Sequence, residues 1–352
     1  SVATSRGDTC RYFSGVRVAP ASGGRAETVR FVAPYAVEVA DVAVPEAGSG
    51  DVLVQAEFSG ISGGTEMLAY RGELDSRLPS DETLGALAGS FEYPFTYGYS
   101  VVGTVEASRS DVREGERVFA FHPHQSRFVV SAADVVRIGE TDPRTATLFP
   151  LVETALQISL DAGVRYREVA AVLGFGPVGI LTGILLMRSG ATVVGSDPKP
   201  WRRETAKVCG LVAVKPEALG DTVRTATRGR GADVIVEATG DPEVLGESLG
   251  LLSMEGVAIV ASWYGAKPVT LPLGAEFHRR RLEIRSSQVS TIGGRAVRWD
   301  RLRRLEATQG LLAELPLAAL ASHTLPLERA SEAYAALDRG DDGVVHVALA
   351  YS

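Results

Sequence analysis

Three glycines in the middle of the chain have the spacing of a phosphate-binding turn. They lie in VAAVLGFGPVGILTGILL, where one apolar run leads into the turn and another leaves it. In such a turn the first glycine permits a tight bend, the second lets a pyrophosphate approach the backbone, and the third lets a helix pack closely on a strand. The free N–H groups of that helix hold the phosphates. The pattern predicts a dinucleotide site formed by Gly174, Phe175, Gly176, Pro177, Val178 and Gly179.

The next predicted strand, ATVVGSD, ends in an acidic residue, Asp197, which lies 18 positions after Gly179. A carboxylate at the end of this strand can accept hydrogen bonds from the adenosine ribose hydroxyls, and it would repel a 2′-phosphate. We therefore expect NAD(H) rather than NADP(H) as the cofactor. Lys199 and Arg202 follow at once and could attract a phosphate, so both are included among the expected cofactor contacts.

Two kinds of sequence pattern surround these residues. From Glu27 to Ile138, short β-branched and aromatic runs are separated by Gly, Pro, Asp or Ser, which is typical of a twisted all-β barrel. After Pro150, apolar strands alternate with helical segments, which indicates a doubly wound parallel sheet. The last third adds helical segments and a closing strand, VVHVALAYS. We therefore predict an α/β protein with one β-rich domain and one parallel-sheet domain.

The bulk composition excludes several classes of function. The 352 residues suffice for two domains with separate cores, and their net charge of -7 argues against a nucleic-acid partner, because phosphate neutralisation needs a basic face. Cys10 and Cys209 are too few and too far apart for a disulfide framework or a thiolate metal site. No apolar run reaches the roughly 18 residues of a transmembrane helix. Residues 1–28 lack the order of a signal peptide and are interpreted as an N-terminal extension, so we expect a cytoplasmic protein without membrane contact.

Several stretches together resemble the medium-chain dehydrogenase/reductase superfamily, from about residue 29 to the C-terminus. They are SGISGGTEMLAYRG, PFTYGYSVVGTVEA, REGERVFAF, GFGPVG, DVIVEATG and HTLPLERASEAYAAL. The resemblance implies a GroES-like catalytic barrel over residues 29–152 and 290–352, and a Rossmann NAD-binding domain over residues 153–289. It also implies a cofactor in the cleft between the domains, a small-molecule substrate and a homodimer.

The chain departs from the zinc alcohol dehydrogenases of this superfamily at the positions that hold their catalytic zinc. Ser62, Tyr99 and Pro150 occupy the three ligand positions, and Ser100 replaces the glutamate beside the second. Zinc requires thiolate, imidazole or carboxylate donors, so we predict no metal site. The block SGISGGTE has one residue more before its Thr than is usual. This insertion resembles the zinc-free branch that contains bacteriochlorophyllide dehydrogenase.

Without zinc, a hydroxyl or an imidazole must donate to the developing oxyanion and relay the carbinol proton. His122 is the first candidate, because it follows the strand ERVFAF where zinc relatives have an aromatic residue that lines the substrate pocket. A histidine there could titrate near neutral pH. His124 lies two residues further on and would share a face with His122 in an extended chain, although Pro123 leaves that geometry open. A purely structural role for the pair is an equal alternative.

Hydroxyl and carboxyl side chains supply the remaining catalytic candidates. Tyr99 replaces a zinc ligand, so its phenol could donate to a carbonyl oxygen or simply fill the vacated space. Ser62 and Thr65 follow, because the family's hydroxyl after the Cys often touches the substrate oxygen. Glu66 would orient a zinc-bound histidine in relatives, which leaves its partner here unknown. Glu153 is interpreted either as a base near the nicotinamide or as a charge at a helix N-terminus.

The resemblance also implies cofactor contacts outside the glycine turn. The family's threonine that approaches the nicotinamide matches a threonine near the start of the Rossmann domain, and later strand ends match regions that contact the ribose and the carboxamide. The expected residues are Thr154, Thr239, Gly240, Trp263 and Gln288.

These features predict a zinc-independent, NAD(H)-dependent oxidoreductase that interconverts a secondary alcohol and a ketone on a hydroxylated, cyclic or natural-product-type metabolite. One alternative is a quinone or enoyl reductase that reduces an activated C=C bond. Such enzymes often use NADPH. Asp197 argues against this alternative, because its carboxylate would repel the 2′-phosphate of NADPH. A second alternative is a non-catalytic NAD(P)H-binding protein, in which the polar pocket residues would be idle.

Overall fold

The structure, a computed structural model, describes residues 24–80, 85–87, 89–293 and 296–352, and it contains a β-rich domain and a parallel-sheet domain. The strands of the β-rich domain are β1 (Arg25–Ala33), β2 (Ala36–Ala43), β3 (Asp51–Ile61), β4 (Phe95–Thr96), β5 (Val101–Ser108), β6 (Arg117–Ala120), β7 (Arg127–Ser131), β8 (Val135–Arg137), β15 (His323–Pro326) and β16 (Val347–Ala350). They form a sheet of order β2-β1-β4 and a sheet of order β15-β16-β3-β5-β6-β8, with β7 paired to β3. β1 begins inside the segment interpreted as an N-terminal extension, and residues 1–23 of that segment lie outside the described residues.

A parallel sheet forms the core of the second domain. Its strands are β9 (Val169–Leu173), β10 (Thr192–Ser196), β11 (Val212–Val214), β12 (Ala232–Glu237), β13 (Leu252–Val260) and β14 (Glu283–Ser286), in the order β11-β10-β9-β12-β13-β14. Every residue of β9 is buried, as expected where helices cover both faces of a sheet. The strand order reverses between β9 and β12, and ligands of such sheets bind at the carboxyl ends of the strands beside this point. The predicted fold class is confirmed.

Helices connect these strands, and several of them cover the parallel sheet. They are α1 (Thr65–Arg71), α2 (Pro143–Ala146), α3 (Phe149–Ala162), α4 (Pro177–Arg188), α5 (Pro200–Val208), α6 (Pro216–Thr227), α7 (Pro242–Ser248), α8 (His278–Arg280), α9 (Arg301–Glu314) and α10 (Ala330–Arg339). Proline lies in the first turn of α3 to α7, where its fixed φ and missing N–H suit the helix start. Within the described ranges, none of the helices has the length and apolar character needed to cross a bilayer.

The C-terminal segment returns to the β-rich domain. Val347–Ala350 pair antiparallel with residues 58–61 of β3, and α10 packs against α1. Tyr334 of α10 is fully buried beside the rings of Phe31 and Tyr70. This return places residues from the end of the chain next to the loop that precedes α1.

A buried ion pair joins α3 to α9. Arg304 Nε donates to Glu153 Oε1 at 3.0 Å, and Arg304 Nη1 donates to Gln157 Oε1 at 2.6 Å. Arg304 and Glu153 are 3% and 4% exposed. Burial raises the pKa of Glu153, and the guanidinium of Arg304 opposes that rise. The structure thus gives Glu153 a partner that neither interpretation of the sequence included.

We expect Arg304→Met to destabilise the protein, because it leaves the Glu153 carboxylate buried without its cation. Removing one partner of a buried pair lowers the free energy of unfolding by about 3–5 kcal/mol, whereas replacing both partners can be nearly neutral. Urea unfolding followed by circular dichroism should show a lower midpoint for Arg304→Met and a recovery in the Glu153→Leu/Arg304→Met double variant. An unchanged midpoint in the single variant would contradict this role.

Candidate active site

The glycine turn connects the end of β9 to the start of α4. Gly174 has a φ of 91°, and a Cβ built on it would lie 2.7 Å from the carbonyl oxygen of Ala238, directly after β12. A Cβ on Gly179 would lie 1.9 Å from the carbonyl oxygen of Gly174. A Cβ on Gly176 would meet nothing within 4 Å. The first and third glycines are therefore required by close backbone contacts, and the second borders open space.

The carboxylate of Asp197 fastens this turn to the end of β10. Its Oδ2 accepts the N–H of Phe175 at 2.9 Å, and its Oδ1 accepts the N–H of Lys199 at 2.8 Å. Asp197 is 2% exposed, and Nη1 of Arg202 lies 3.6 Å from Oδ2. Asp197 therefore orders the turn, a role that the sequence analysis did not include.

A cavity of about 460 Å³ opens at the carboxyl ends of β9, β10 and β12. Residues of the glycine turn, α6 and α7 line it, together with Asp197, Arg202 and Thr239. Its volume lies within the range of small-ligand pockets, about 300–1,000 Å³. The cavity therefore fits the adenosine end of a dinucleotide whose pyrophosphate lies at the glycine turn.

Glu237, the last residue of β12, orders the loop that follows it. Its Oε1 accepts the N–H and the hydroxyl of Thr239 at 2.6 and 2.5 Å, and its Oε2 accepts the hydroxyl of Tyr264 at 2.5 Å. Burial and the Glu237 carboxylate raise the pKa of Tyr264 above its usual value, so this phenol stays protonated. The N–H of Gly240 donates to Ser262 Oγ at 2.9 Å. The loop at the cavity is thus held by a buried carboxylate that the sequence analysis did not single out.

Two of the expected cofactor residues contact the β-rich domain across the cleft. Lys199 Nζ donates to the carbonyl oxygen of Gly340, which follows α10, at 2.6 Å, and burial lowers the pKa of this lysine. The ring of Trp263 is 44% exposed, and its centroid lies 6.5 Å from that of Phe91. These side chains therefore lie where the two domains meet.

Thr154 and Gln288, the other expected cofactor residues, make local hydrogen bonds. The Thr154 hydroxyl donates to the carbonyl oxygen of Pro150, one turn earlier in α3, at 2.8 Å. Oε1 of Gln288 accepts the N–H of Ser290 at 2.5 Å. The nicotinamide contacts expected of these two residues stay predictions.

Three hydroxyl groups meet at Tyr99, which the resemblance matches to a zinc-ligand position. Tyr99, between β4 and β5, is hydrogen bonded to the side chains of Ser62 and Thr65, which lie between β3 and the start of α1. Burial and the Glu66 carboxylate raise the pKa of Tyr99 to about 12, although the two hydroxyls oppose this rise. Tyr99 is therefore a neutral phenol at physiological pH and can donate a hydrogen bond.

Glu66 lies at the buried centre of this cluster. Its side chain has no exposed surface, and its Oε1 accepts the N–H of Ser62 at 2.8 Å. Its Oε2 accepts the hydroxyl of Tyr334 at 2.6 Å and lies 2.9 Å from Nε2 of His124. Nδ1 of His124 lies 2.7 Å from Oγ of Ser59. The structure thus supplies the unknown partner of Glu66, and it adds Tyr334, which sequence reasoning missed because it lies 268 residues away.

The two neighbouring histidines have different surroundings. His124 is fully buried against Gly98, where a Cβ would lie 2.5 Å from the imidazole ring. His122 stacks on Phe128 with ring centroids 4.1 Å apart, and its Nδ1 lies 3.0 Å from the carbonyl oxygen of Pro123. Burial lowers the pKa of His122 to about 4, which corrects the expectation that it titrates near neutral pH. His124, and not His122, contacts Glu66.

The residues at the zinc positions do not fit a zinc ion. Ser62 and Tyr99 offer hydroxyls that bond to each other, Pro150 has no side-chain donor, and Ser100 Oγ donates to the carbonyl oxygen of Thr147 at 2.6 Å. In the part of the chain that the structure describes, no three His, Cys, Asp or Glu side chains are grouped so that they could hold a metal ion. Zinc sites are built from such donors.

We expect Gly98→Ala to disturb the site, because the added Cβ would lie 2.5 Å from the His124 ring and Gly98 has a φ of 111°. Non-glycine residues rarely adopt this backbone conformation, so the melting temperature should fall by at least about 4 °C. Gly64→Ala is the matched control, since a Cβ there meets nothing within 4 Å. Equal melting temperatures for the two variants in scanning calorimetry would argue against the close packing of His124 on Gly98.

Comparisons with known sequences agree with this architecture. A family model described as zinc-binding dehydrogenase matches residues 177–305. The 2-desacetyl-2-hydroxyethyl bacteriochlorophyllide A dehydrogenase of Cereibacter sphaeroides is 27% identical over 335 residues, which are 88% of this chain and 94% of that protein. The D-guloside 3-dehydrogenase of Escherichia coli K12 is 26% identical over 287 residues, 74% of this chain and 80% of that protein.

Solved structures share the whole fold at low sequence identity. A structure described as a short chain alcohol dehydrogenase from Escherichia coli CFT073, complexed with NADH, has a TM-score of 0.74 and 18% identity and covers 93% of this chain and 100% of its own. A zinc-binding dehydrogenase from Sinorhizobium meliloti 1021, bound to NADP, has a TM-score of 0.74 and 22% identity and covers 93% and 99%. The resemblance seen in the sequence is confirmed: residues 177–305 match the zinc-binding dehydrogenase model, the curated relatives are dehydrogenases, and solved alcohol dehydrogenases share the fold.

Proposed function

We propose that this protein is a zinc-independent, NAD(H)-dependent oxidoreductase that interconverts a secondary alcohol and a ketone. The observation that carries the proposal is the hydroxyl cluster of Ser62, Thr65 and Tyr99, which includes two residues that the resemblance matches to zinc-ligand positions, Ser62 and Tyr99. A metal there would stabilise negative charge on the substrate oxygen. A preorganised phenol can instead donate a hydrogen bond to that oxygen as the charge develops.

The chemistry requires one hydride and one proton to leave the alcohol, and both return when the ketone is reduced. A nicotinamide cofactor held at the glycine turn from Gly174 to Gly179 would supply the hydride donor and acceptor. Tyr99 holds the substrate oxygen through its hydroxyl, and it donates the proton to that oxygen during ketone reduction. The hydroxyls of Ser62 and Thr65 bond to Tyr99 and stabilise its phenolate oxygen until a proton returns.

We assign the preference for NAD(H) over NADP(H) to Asp197. Its buried carboxylate lines the cavity at the end of β10, where it would repel a 2′-phosphate and accept hydrogen bonds from ribose hydroxyls. Arg202 lies 3.6 Å from this carboxylate, so part of its positive charge is already compensated. The glycine turn and the start of α4 would hold the pyrophosphate.

The proposed substrate is a hydroxylated, cyclic or natural-product-type metabolite. Two similar relatives are named for a hydroxyethyl-bearing bacteriochlorophyllide and for the 3-position of a D-guloside, which supports a secondary hydroxyl on a ring-containing molecule. The rings of Phe91 and Trp263 supply an aromatic wall where the domains meet. We also propose that the protein is a homodimer. β14 is an edge strand of the parallel sheet, so it could pair with a second copy of the chain.

Tyr99→Phe should lower turnover strongly and leave cofactor binding almost unchanged. Loss of a group that donates a proton or hydrogen bond in the transition state lowers kcat about 100-fold or more. Because the pKa of Tyr99 is about 12, its donor stays protonated from pH 6 to 9, and ketone reduction should be flat with respect to this group over that range. Stopped-flow and steady-state assays with NAD⁺ or NADH and a panel of 2,3-butanediol, cyclohexanol, a methyl D-guloside and the matching ketones measure these rates.

Tyr93→Phe is the matched control, because its hydroxyl donates to the backbone oxygen of Ala69 and lies outside the hydroxyl cluster. It should keep the parental kcat. Full activity in Tyr99→Phe, or activity that follows the zinc content and disappears with a chelator, would refute the proposed chemistry. Reduction of an activated C=C bond with no turnover of the alcohols would favour the enoyl reductase alternative.

Asp197→Ser should weaken NADH binding and improve NADPH binding. The substitution removes both the repulsion of a 2′-phosphate and the hydrogen bond that holds Phe175, and Arg202 stays in place to pair with the phosphate. We expect the ratio of the two dissociation constants to change at least about tenfold, which corresponds to 1.4 kcal/mol. Titrations of tryptophan fluorescence give both constants, because the ring of Trp201 lies 5.1 Å from the guanidinium of Arg202, which lines the cavity. A parental protein that binds NADPH as tightly as NADH would contradict the assignment.

A further inference from the structure

The side chains of Glu66 and His124 form a contact that is completely buried beside the hydroxyl cluster. Their side chains have no exposed surface, and Nε2 and Oε2 are 2.9 Å apart. Glu66 lies in the first turn of α1, whereas His124 lies in the loop between β6 and β7. His124 has no role in the proton transfer proposed for Tyr99. Glu66 does affect that transfer, because its carboxylate raises the pKa of Tyr99.

A carboxylate removed from water needs an opposite charge or a proton. Among the described residues, His124 is the basic side chain that lies within 4 Å of the Glu66 carboxyl group. The other titratable groups around the pair are neutral at physiological pH. Burial raises the pKa values of the three phenols that face it and lowers those of the two histidines, and the neighbours are Tyr99, Tyr334, Tyr351, His122 and His346.

The position of His124 suits a protonated imidazole. Nε2 faces Oε2 of Glu66, and Nδ1 lies 2.7 Å from Oγ of Ser59, so both ring N–H groups would have an acceptor. Ser59 Oγ is in turn 2.7 Å from the hydroxyl of Tyr351. The pKa values of His122 and His346 are lowered chiefly by burial, and an imidazolium at His124 would repel a proton from both.

We propose that His124 is a positioning residue that carries a proton, and that its imidazolium neutralises Glu66 so that Tyr99 can exchange its proton with the substrate. This inference rests on the proposed function. Without the imidazolium, the full charge of Glu66 would act on the phenol across a site of low dielectric constant. Tyr99 would then release its proton less readily, and the proton exchange would slow.

Nitrogen NMR of the ¹⁵N-histidine-labelled full chain tests the charge directly and needs no substrate. We expect one buried histidine with both ring nitrogens protonated between pH 6 and 8, and this signal should vanish in His124→Gln. A His124 ring with a single protonated nitrogen over that range would overturn the proposal, whatever the enzyme turns over. The protonation state is measured on the parental protein, so the result does not depend on how well a variant folds.

Kinetics of the single and double substitutions test the effect on Tyr99. A like charge within about 4–6 Å shifts a pKa by about 1–3 units, so His124→Gln should lower kcat for oxidation of the best alcohol of the panel about tenfold or more at fixed pH. Glu66→Gln/His124→Gln removes the uncompensated charge as well and should regain most of that loss. A double variant as slow as, or slower than, His124→Gln would overturn the charge-compensation role.

His346→Gln is the matched control for replacing a buried histidine. His346 bonds to Thr147 Oγ1 and is neutral, because burial lowers its pKa to about 4, so its loss changes no charge. We expect a lower melting temperature with an unchanged pH profile. A tenfold slower oxidation in His346→Gln would show that any buried histidine matters and would overturn the specific role of His124. An imidazolium at His124 in a protein that oxidises no alcohol would refute the proposed function and leave the charge pair standing.

Discussion

The buried carboxylate of Glu66 is the constraint on which the candidate site depends. A charge in the interior is tolerated only when donors and an opposite charge surround it. Its partners are the N–H of Ser62, the imidazole of His124 and the hydroxyl of Tyr334. They come from the loop before α1, the loop after β6 and the helix α10, which meet because β16 pairs with β3. The C-terminal segment is therefore part of the site.

The titratable groups around Glu66 and His124 are neutral at physiological pH. Burial keeps the phenols of Tyr99, Tyr334 and Tyr351 protonated, and it keeps His122 and His346 unprotonated. Fixed dipoles in surroundings of low dielectric constant interact strongly with charge that develops only during a reaction. The proposed zinc-independent site thus has the means to stabilise an oxyanion, provided that the Glu66 charge is compensated.

Two side-chain contacts join the parallel-sheet domain to the β-rich domain. Lys199 bonds to the backbone of Gly340, and Lys267 pairs with Glu73 at 2.9 Å. The proposed hydride transfer requires the substrate and a bound nicotinamide to lie within contact distance, and misplacement by about 1 Å can slow a reaction 100-fold. The two contacts therefore bear on the proposed chemistry, because they fix the β-rich domain against the domain that carries the glycine turn.

Local features of the chain could be predicted because contiguous residues satisfy their own backbone requirements. The glycine turn is an example, since the positive φ of Gly174 and the contact of Gly179 with the Gly174 carbonyl oxygen both arise within a single strand–turn–helix unit, and Asp197 follows at the end of the next strand. Alternating strands and helices gave the fold class in the same way. The absence of zinc donors at Ser62, Tyr99 and Pro150 also follows from residue types alone.

The partners of buried polar groups were decided only by the tertiary structure. His122 and His124 are two positions apart and equally plausible in sequence, yet one packs on Phe128 and the other on Glu66. The sequence around Tyr334 did not predict its role in the site, because its partner Glu66 lies 268 residues earlier in the chain. Residue type and spacing determine the local backbone and the chemistry a side chain can perform. Which side chains meet depends on the packing of distant segments, because a buried charge accepts any donor that the fold brings to it.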